Sequence, residues 1–247
     1  MKGFKTIKTR FSIFKIGAVT LLSFLALEPC PLSAQGPPIN TDTPIMLGLQ
    51  GRGARTFGKV VRKARLLQDG DEISDPMDRS ITVWVAPIAL PYNLVSDKFQ
   101  VGAILPFMNV DFDSRNQDAS SFGVGDTRLF AKYLVYQFDR KNETIRVASK
   151  AGIKLPIGDE EESPPLGTGS TDYFFTTVAA WIKNRFGIYL EGIYNLNTSE
   201  GPVDFGNSIA YNVAFGYRLL PTVYETYPSP QLNGFLEING ITTNRNS

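Results

Sequence analysis

From Asn207 to Pro221 the chain reads "NSIAYNVAFGYRLLP". Ile209, Tyr211, Val213, Phe215, Tyr217 and Leu219 are large and apolar. Ala210, Asn212, Ala214, Gly216 and Arg218, set between them, are small or polar. A period of two is the period of a β-strand, whose side chains leave on alternate faces. The pattern recurs. In "TIRVASKAGIKLP", Ile145, Val147, Ala151, Ile153 and Leu155 oppose Arg146, Ala148, Lys150, Gly152 and Lys154. In "FGIYLEGIYNLN", Phe186, Ile188, Leu190, Tyr194 and Leu196 oppose Tyr189, Glu191, Ile193, Asn195 and Asn197. In "GDTRLFAKYLVYQ", Leu129, Ala131, Tyr133 and Val135 oppose Asp126, Arg128, Phe130 and Lys132. The spacing predicts about nine strands, over 55–67, 80–92, 99–112, 123–138, 144–157, 171–183, 186–197, 207–219 and 231–241, each near the length of a tilted membrane strand. The alternation is weakest in 55–67 and 171–183. No segment has a helical period.

Alternation alone does not say which face meets water. A soluble sandwich or lipocalin-like barrel buries the apolar face, and a membrane barrel turns it outward. Two features favour the second. The polar face carries Ala148, Gly152, Ala210, Ala214 and Gly216 among its charges, which suits a crowded lumen better than a free surface. The connections also alternate in length. "DGDEISDPMDR", "DSRNQDASS", "GDEEESPPLGTGS" and "TSEGPVDFG" are long, and "NLVSDK", "DRKNE" and "KNR" are short. Membrane barrels have long loops at one end and short turns at the other. "PTVYETYPSP" breaks the pattern. Tyr217 and Phe186, near strand ends, fit an interfacial aromatic girdle.

Composition narrows the chemistry. The chain of 247 residues has a net charge of +1, which gives no bulk electrostatic case for nucleic acid. It has no histidine, so Ser-His-Asp and Cys-His catalysis and His-ligated metals are excluded. Lys2, Lys5, Lys8, Arg10 and Lys15 precede the apolar run Ile16 to Leu27, and "PLSA" follows. Residues 1–34 therefore read as a secretory signal cleaved after Ala34. Cys30, the single cysteine, leaves with it. Glu28 and Pro29 before Cys30 do not suit a lipoprotein signal. Residues 35–54, rich in Pro, Gly and Thr, read as a flexible lead, and 55–247 as the barrel.

Five blocks extend this reading: "VAPIALPYNLVSDKFQVGAILPFMNV", "GVGDTRLFAKYLVYQ", "AGIKLPIGD", "GTGSTDYFFTTVAAWIKNRFG" and "DFGNSIAYNVAFGYRLLP". In that order, over about residues 80–240, the sequence resembles the outer-membrane family described as "putative MetA-pathway of phenol degradation". The resemblance implies an antiparallel transmembrane β-barrel of the bacterial outer membrane, transporter-like, passing small aromatic or hydrophobic solutes. The expected partners are outer-membrane lipid and lipopolysaccharide, the barrel-assembly machinery and a small-molecule solute, with no cofactor and no metal. The resemblance departs at the end. Single-chain bacterial barrels use an even strand number, whereas nine are read here and the sequence stops at "TTNRNS". The expectation is an incomplete barrel, truncated at its C-terminus.

The candidate site residues are lumen-facing: Arg128, Lys132, Arg146, Lys150, Lys154 and Arg218, with Glu191 and Glu237. They form either a cationic stripe that guides anionic solutes or a charge network, with Glu191, Glu237 and Asp126 as partners, that fills a narrow barrel. Two acidic loop clusters, Asp69, Asp71, Glu72, Asp75 and Asp78, and Asp159, Glu160, Glu161 and Glu162, read as solvated loops rather than divalent-cation sites. A channel is expected, not an enzyme. A barrel lipid hydrolase and a soluble periplasmic ligand-binding barrel are the alternatives.

Overall fold

The computed structural model describes residues 38–64, 66–68, 71–73, 75–198, 206–223 and 230–244, with no side-chain account for 66–68, 71–73 and Asn244. The signal segment, Cys30 and the acidic side chains Asp69, Asp71 and Glu72 lie outside what is described.

The described residues contain strands and no helix. One antiparallel sheet curls into a half-barrel. Its main members are β5 (Ser80–Ser96), β6 (Phe99–Ser114), β8 (Thr127–Arg140), β9 (Glu143–Leu155), β10 (Asp172–Lys183), β11 (Phe186–Leu196), β12 (Asn207–Leu220) and β13 (Leu232–Asn244). After the short β1 (Arg55–Thr56), which lies beside β5, each follows its predecessor in space, so the path has nine positions. Neighbours in sequence are neighbours in the sheet, as hairpin connections require.

The expected strand 55–67 is interrupted, for a reason its own sequence does not contain. β1 pairs Arg55 with Ala89, and β2 (Lys59–Lys63) pairs Lys59 with Val85 in the same register. The gap at Phe57 and Gly58 falls opposite Pro87 and Ala86, and Pro87 has no N–H to give. The bridge from Arg52 to Tyr92 continues this register. Leu66 and Leu67, expected to end the strand 55–67, belong instead to β3 (Leu66–Gln68), which pairs antiparallel with β4 (Asp71–Ile73) within an expected connection.

"DSRNQDASS" is likewise not a long loop. β7 (Gln117–Val124) folds back on the upper half of β6 across a tight turn. Phe107 pairs with Val124 and Ile104 with Arg128, so one extra residue is taken up at Gly125 and Asp126, a bulge between β7 and β8. Gly125 N–H still donates to Pro106 O at 2.8 Å. At the opposite end, Asn142 and Asn184 adopt positive φ in two-residue turns, which asparagine tolerates. Asn184 N–H donates to Asn142 O at 2.8 Å, tying the two turns together.

Register fixes the faces. Lys132, Lys150, Thr176, Ile193 and Ala210 lie side by side across β8 to β12, as do Ala180, Tyr189 and Ala214. This concave face holds the buried side chains, including Ala148, Val178, Tyr189 and Ala214. The convex face is apolar and bare. Tyr133, Phe175, Leu190, Tyr194, Ile209, Tyr211, Phe215, Tyr217, Leu236 and Ile238 are all exposed. A charge placed there is expected to behave differently from one on the concave face. If the convex face meets lipid, Val213→Arg costs roughly 2–4 kcal/mol near the midplane. Ala210→Arg, half-buried on the concave face, costs far less. Urea titration of both variants in lipid vesicles measures the difference, and equal losses would refute the assignment of faces.

Candidate functional site

Residues 38–50 run along the concave face, although their composition suggested a flexible lead. They carry no regular structure, and their N–H groups find partners on the wall instead. Ile39, Asn40 and Thr41 donate three consecutive backbone N–H groups to the Glu237 carboxylate, at 2.6, 2.9 and 3.0 Å. The next amide, of Asp42, donates to Glu191 Oε2 at 3.0 Å. Successive amides converging on a carboxylate form an anion-binding nest. Pro38 and Pro44 lack N–H groups, bracket this run and are fully buried. Arg55 Nη2 donates to Pro38 O and Lys59 Nζ to Asn40 Oδ1, so the segment joins β13 at one sheet edge to β1 and β2 at the other. Further along, Asn93 Nδ2 holds Leu47 O at 2.6 Å.

Asp42 explains the charges beneath. Lys132 and Lys150 are directly opposed across β8 and β9, a repulsive arrangement for like charges. Asp42 sits over both. Lys132 Nζ lies 3.1 Å from each of its carboxylate oxygens and 2.6 Å from Thr43 O, and Lys150 Nζ lies 2.8 Å from Oδ2. Burial alone would raise the Asp42 carboxyl. The two lysines, aided by hydrogen bonds from Lys150 and the Thr43 amide, outweigh that and hold it well below the usual carboxylate range.

A second cluster lies at the long-loop end. Lys154 Nζ is paired with Asp172 Oδ2, stands 3.3 Å from Asp126 Oδ2 and donates to Thr168 Oγ1. Asp126 also accepts from the backbone N–H groups of Gly158 and Thr168, and Asp172 accepts from Ser170 Oγ and the Thr198 N–H. Loop 156–171 is thereby pinned to the strands by a lysine and two aspartates.

Register places all eight sequence-derived candidates on the concave face, in separate groups. Lys132, Lys150 and Glu191 meet around Asp42, and Lys154 belongs to the loop cluster. Arg146 pairs with Asp139 at 2.8 Å near the short turns. Glu237 holds the threaded segment. Arg218 lies near the short-turn end, where its carbonyl accepts from Arg185 Nε. Arg128 makes no hydrogen bond or ion pair among the described residues, and its guanidinium sits 5.6 Å from the centre of the Phe174 ring. The lysines are thus neutralised within a charge network to which Asp126 contributes. Asp42, Asp139 and Asp172 join it, and Glu191 and Glu237 serve the segment's amides.

In the acidic loops, Asp75 accepts from the backbone N–H groups of Met77 and Arg79 and from Arg79 Nε, and so closes a turn. Among the described residues no three acidic side chains converge as a metal site.

A family model described as "Putative MetA-pathway of phenol degradation" matches residues 78–245. The chain belongs to that family. No curated protein matches it. In this member of the MetA-pathway phenol-degradation family, the wall residues that grip the threaded segment, Lys132, Lys150, Glu191 and Glu237, lie inside the matched region, and residues 38–50 precede it.

Proposed function

We propose that this protein is an outer-membrane channel for small solutes, exported by residues 1–34, with a lumen narrowed at rest by residues 38–50. The observation that carries this reading is the pairing of an exposed apolar convex face with a charged concave one. Soluble monomers rarely expose apolar patches beyond a few hundred Å², and lipid removes the difficulty.

Aromatic side chains mark the two edges of that face. At the short-turn end Trp181 packs edge-on to Phe186 at 6.5 Å, Phe186 is paired with Tyr217, and Trp181 Nε1 donates to Glu143. At the other end stand Tyr173 and Tyr194. Tyr173 and Trp181 share β10; eight residues at about 3.4 Å separate them by roughly 27 Å along the strand. An apolar band about 25 Å tall between aromatic girdles has this scale. The long loop 156–171 would face the cell exterior and the turns at 141–142 and 184–185 the periplasm.

The lumen offers charge and hydrogen bonding without a histidine-based nucleophile, which favours passage over catalysis. The family description names a phenol-degradation pathway, and small aromatic solutes are the proposed cargo. The test has two stages. The protein should remain in the membrane pellet after salt and carbonate washes. Reconstituted in liposomes, it should then admit small solutes that empty liposomes exclude. Release by the salt wash, or no flux from correctly folded protein, would overturn the proposal.

A further inference from the structure

Among the cations of the concave wall, Arg128 stands apart. Lys132, Lys150, Lys154 and Arg146 each have a carboxylate within hydrogen-bonding or ion-pair distance. Arg128 has none among the described residues and is exposed to the lumen. The carboxylates whose field reaches it are Asp172, Asp126 and Glu191. Asp126 and Asp172 are already committed to Lys154 and to loop donors, and Glu191 to Asn212 and the Asp42 amide. Among the described residues the guanidinium is left with planar donor edges and no acceptor.

Its surroundings are aromatic. Phe130 and Phe174 flank Gly152 on the two neighbouring strands. Both rings lie over glycine. A Cβ at Gly152 would collide with the Phe174 ring, and one at Gly102 would collide with the Phe130 ring. Phe174 is buried beneath the guanidinium, an arrangement in which the ring face holds the cation. Phe130 is half-exposed, with Lys150 Nζ 5.7 Å from its centre. A fixed guanidinium fork beside a ring lying flat on the wall matches a planar anion that carries its own ring.

The geometry points to a binding site for aromatic monocarboxylates, with Arg128 taking the carboxylate through paired N–H donors, Phe130 contacting the ring and Phe174 positioning the guanidinium. Arginine suits this role because its fork matches both carboxylate oxygens. Asp126 and Asp172 on the same wall would attract an aromatic amine if they were unpaired, but both are committed to Lys154 and to loop donors and offer it no free acceptor. The inference deepens the channel reading by naming a solute class, and it needs only that solute can reach the lumen.

The test uses the full chain in detergent, with 4-fluorobenzoate as the probe and fluorine NMR line broadening as the readout. Wild type should bind it saturably. Benzoate should compete, cyclohexanecarboxylate should compete more weakly, and benzylamine should not compete. Arg128→Gln should weaken binding about tenfold or more, as loss of a charge-assisted bidentate pair implies. Arg128→Lys should fall between, because it keeps the charge without the fork. Phe130→Leu should narrow the preference for benzoate over cyclohexanecarboxylate. Heat-modified electrophoretic mobility confirms folding of each variant. Arg128→Gln binding within about twofold of wild type, or equal competition by benzylamine, would overturn the site. Liposome flux separates the two claims. Arg128-dependent binding without flux of any solute defeats the channel and leaves the site. Flux of neutral solutes with Arg128-independent binding defeats the site and leaves the channel.

Discussion

In the proposed channel, Asp42→Lys is expected to drive residues 38–50 off the concave wall and to raise single-channel conductance several-fold. Lys132 and Lys150 are 4 % and 11 % exposed and share the Asp42 carboxylate as their counter-ion. A third cation there replaces two attractions with two repulsions. Like charges about 4 Å apart repel by about 4 kcal/mol each at an effective dielectric near 20. The nest on Glu237 and the Asp42 amide on Glu191 oppose this, but these are ordinary hydrogen bonds, of roughly 1.5–3 kcal/mol when made to a charged group. The strand ladders use none of these side chains, so the sheet itself should persist. Asp42→Asn is the milder case, a loss of about 3 kcal/mol for a buried pair broken from one side. Planar-bilayer recording reads the conductance, and protease digestion of membrane-embedded protein reads exposure of 38–50. Wild-type conductance with continued protection would mean that Asp42 does not hold the segment.

The pH dependence has a definite sign. The Asp42 carboxyl is held below its usual range, so its contribution is complete above the ordinary carboxylate pKa of about 3.9 and disappears only as pH falls towards the depressed value. The conductance difference between wild type and Asp42→Asn should therefore stay constant from pH 8 to about 4 and shrink only in stronger acid. Asp42→Lys should conduct at every pH.

The strand faces were legible in the sequence because each face keeps one character, apolar and exposed on the convex side, small or polar and packed on the concave side. Ile209 to Leu219 alternate cleanly for that reason, and so does Ile145 to Leu155. Phe174 and Val178 sit on the concave face of β10 with Phe175 and Trp181 on the other, so both faces of that strand carry apolar bulk and its alternation was weak. What failed was whatever depended on a partner strand. The break in 55–63 is set by Pro87, some thirty residues away. β7 was hidden because Gln117, Asp118, Ser120 and Ser121 are polar; Ser120 Oγ bonded to Asp111 at 2.6 Å replaces the apolar signal. Asp42 was hidden because 38–50 has no period to read. One clue existed. Arg128 and Lys132 alternate with Lys150 and Lys154 on adjacent strands, and opposed lysines require an anion from beyond the pair. Residues 35–54 contain one, Asp42.

Lys154→Met should destabilise the protein by about 3–5 kcal/mol and release loop 156–171, because it strips the counter-ion from two carboxylates at once. Asp126 and Asp172 are about as enclosed as Lys154, at 10 % and 11 % exposure. Their backbone and hydroxyl donors remain, but neutral donors do not replace a cation between two anions. The nearest substitute is Arg128, already within the field of both. In Lys154→Met its guanidinium should leave the Phe174 face for Asp172, recovering part of the stability and consuming the free fork in the lumen. Two measurements follow. Urea unfolding in lipid vesicles gives the stability loss, and adding Asp126→Asn and Asp172→Asn to Lys154→Met should restore most of it, since a neutral cluster leaves no charge unpaired. Binding of 4-fluorobenzoate should fall in Lys154→Met even though Arg128 is intact, and should return in the triple variant. If Lys154→Met matched wild type in urea, the loop amides alone would satisfy both aspartates, and the lysine would have no structural part in closing the long-loop end.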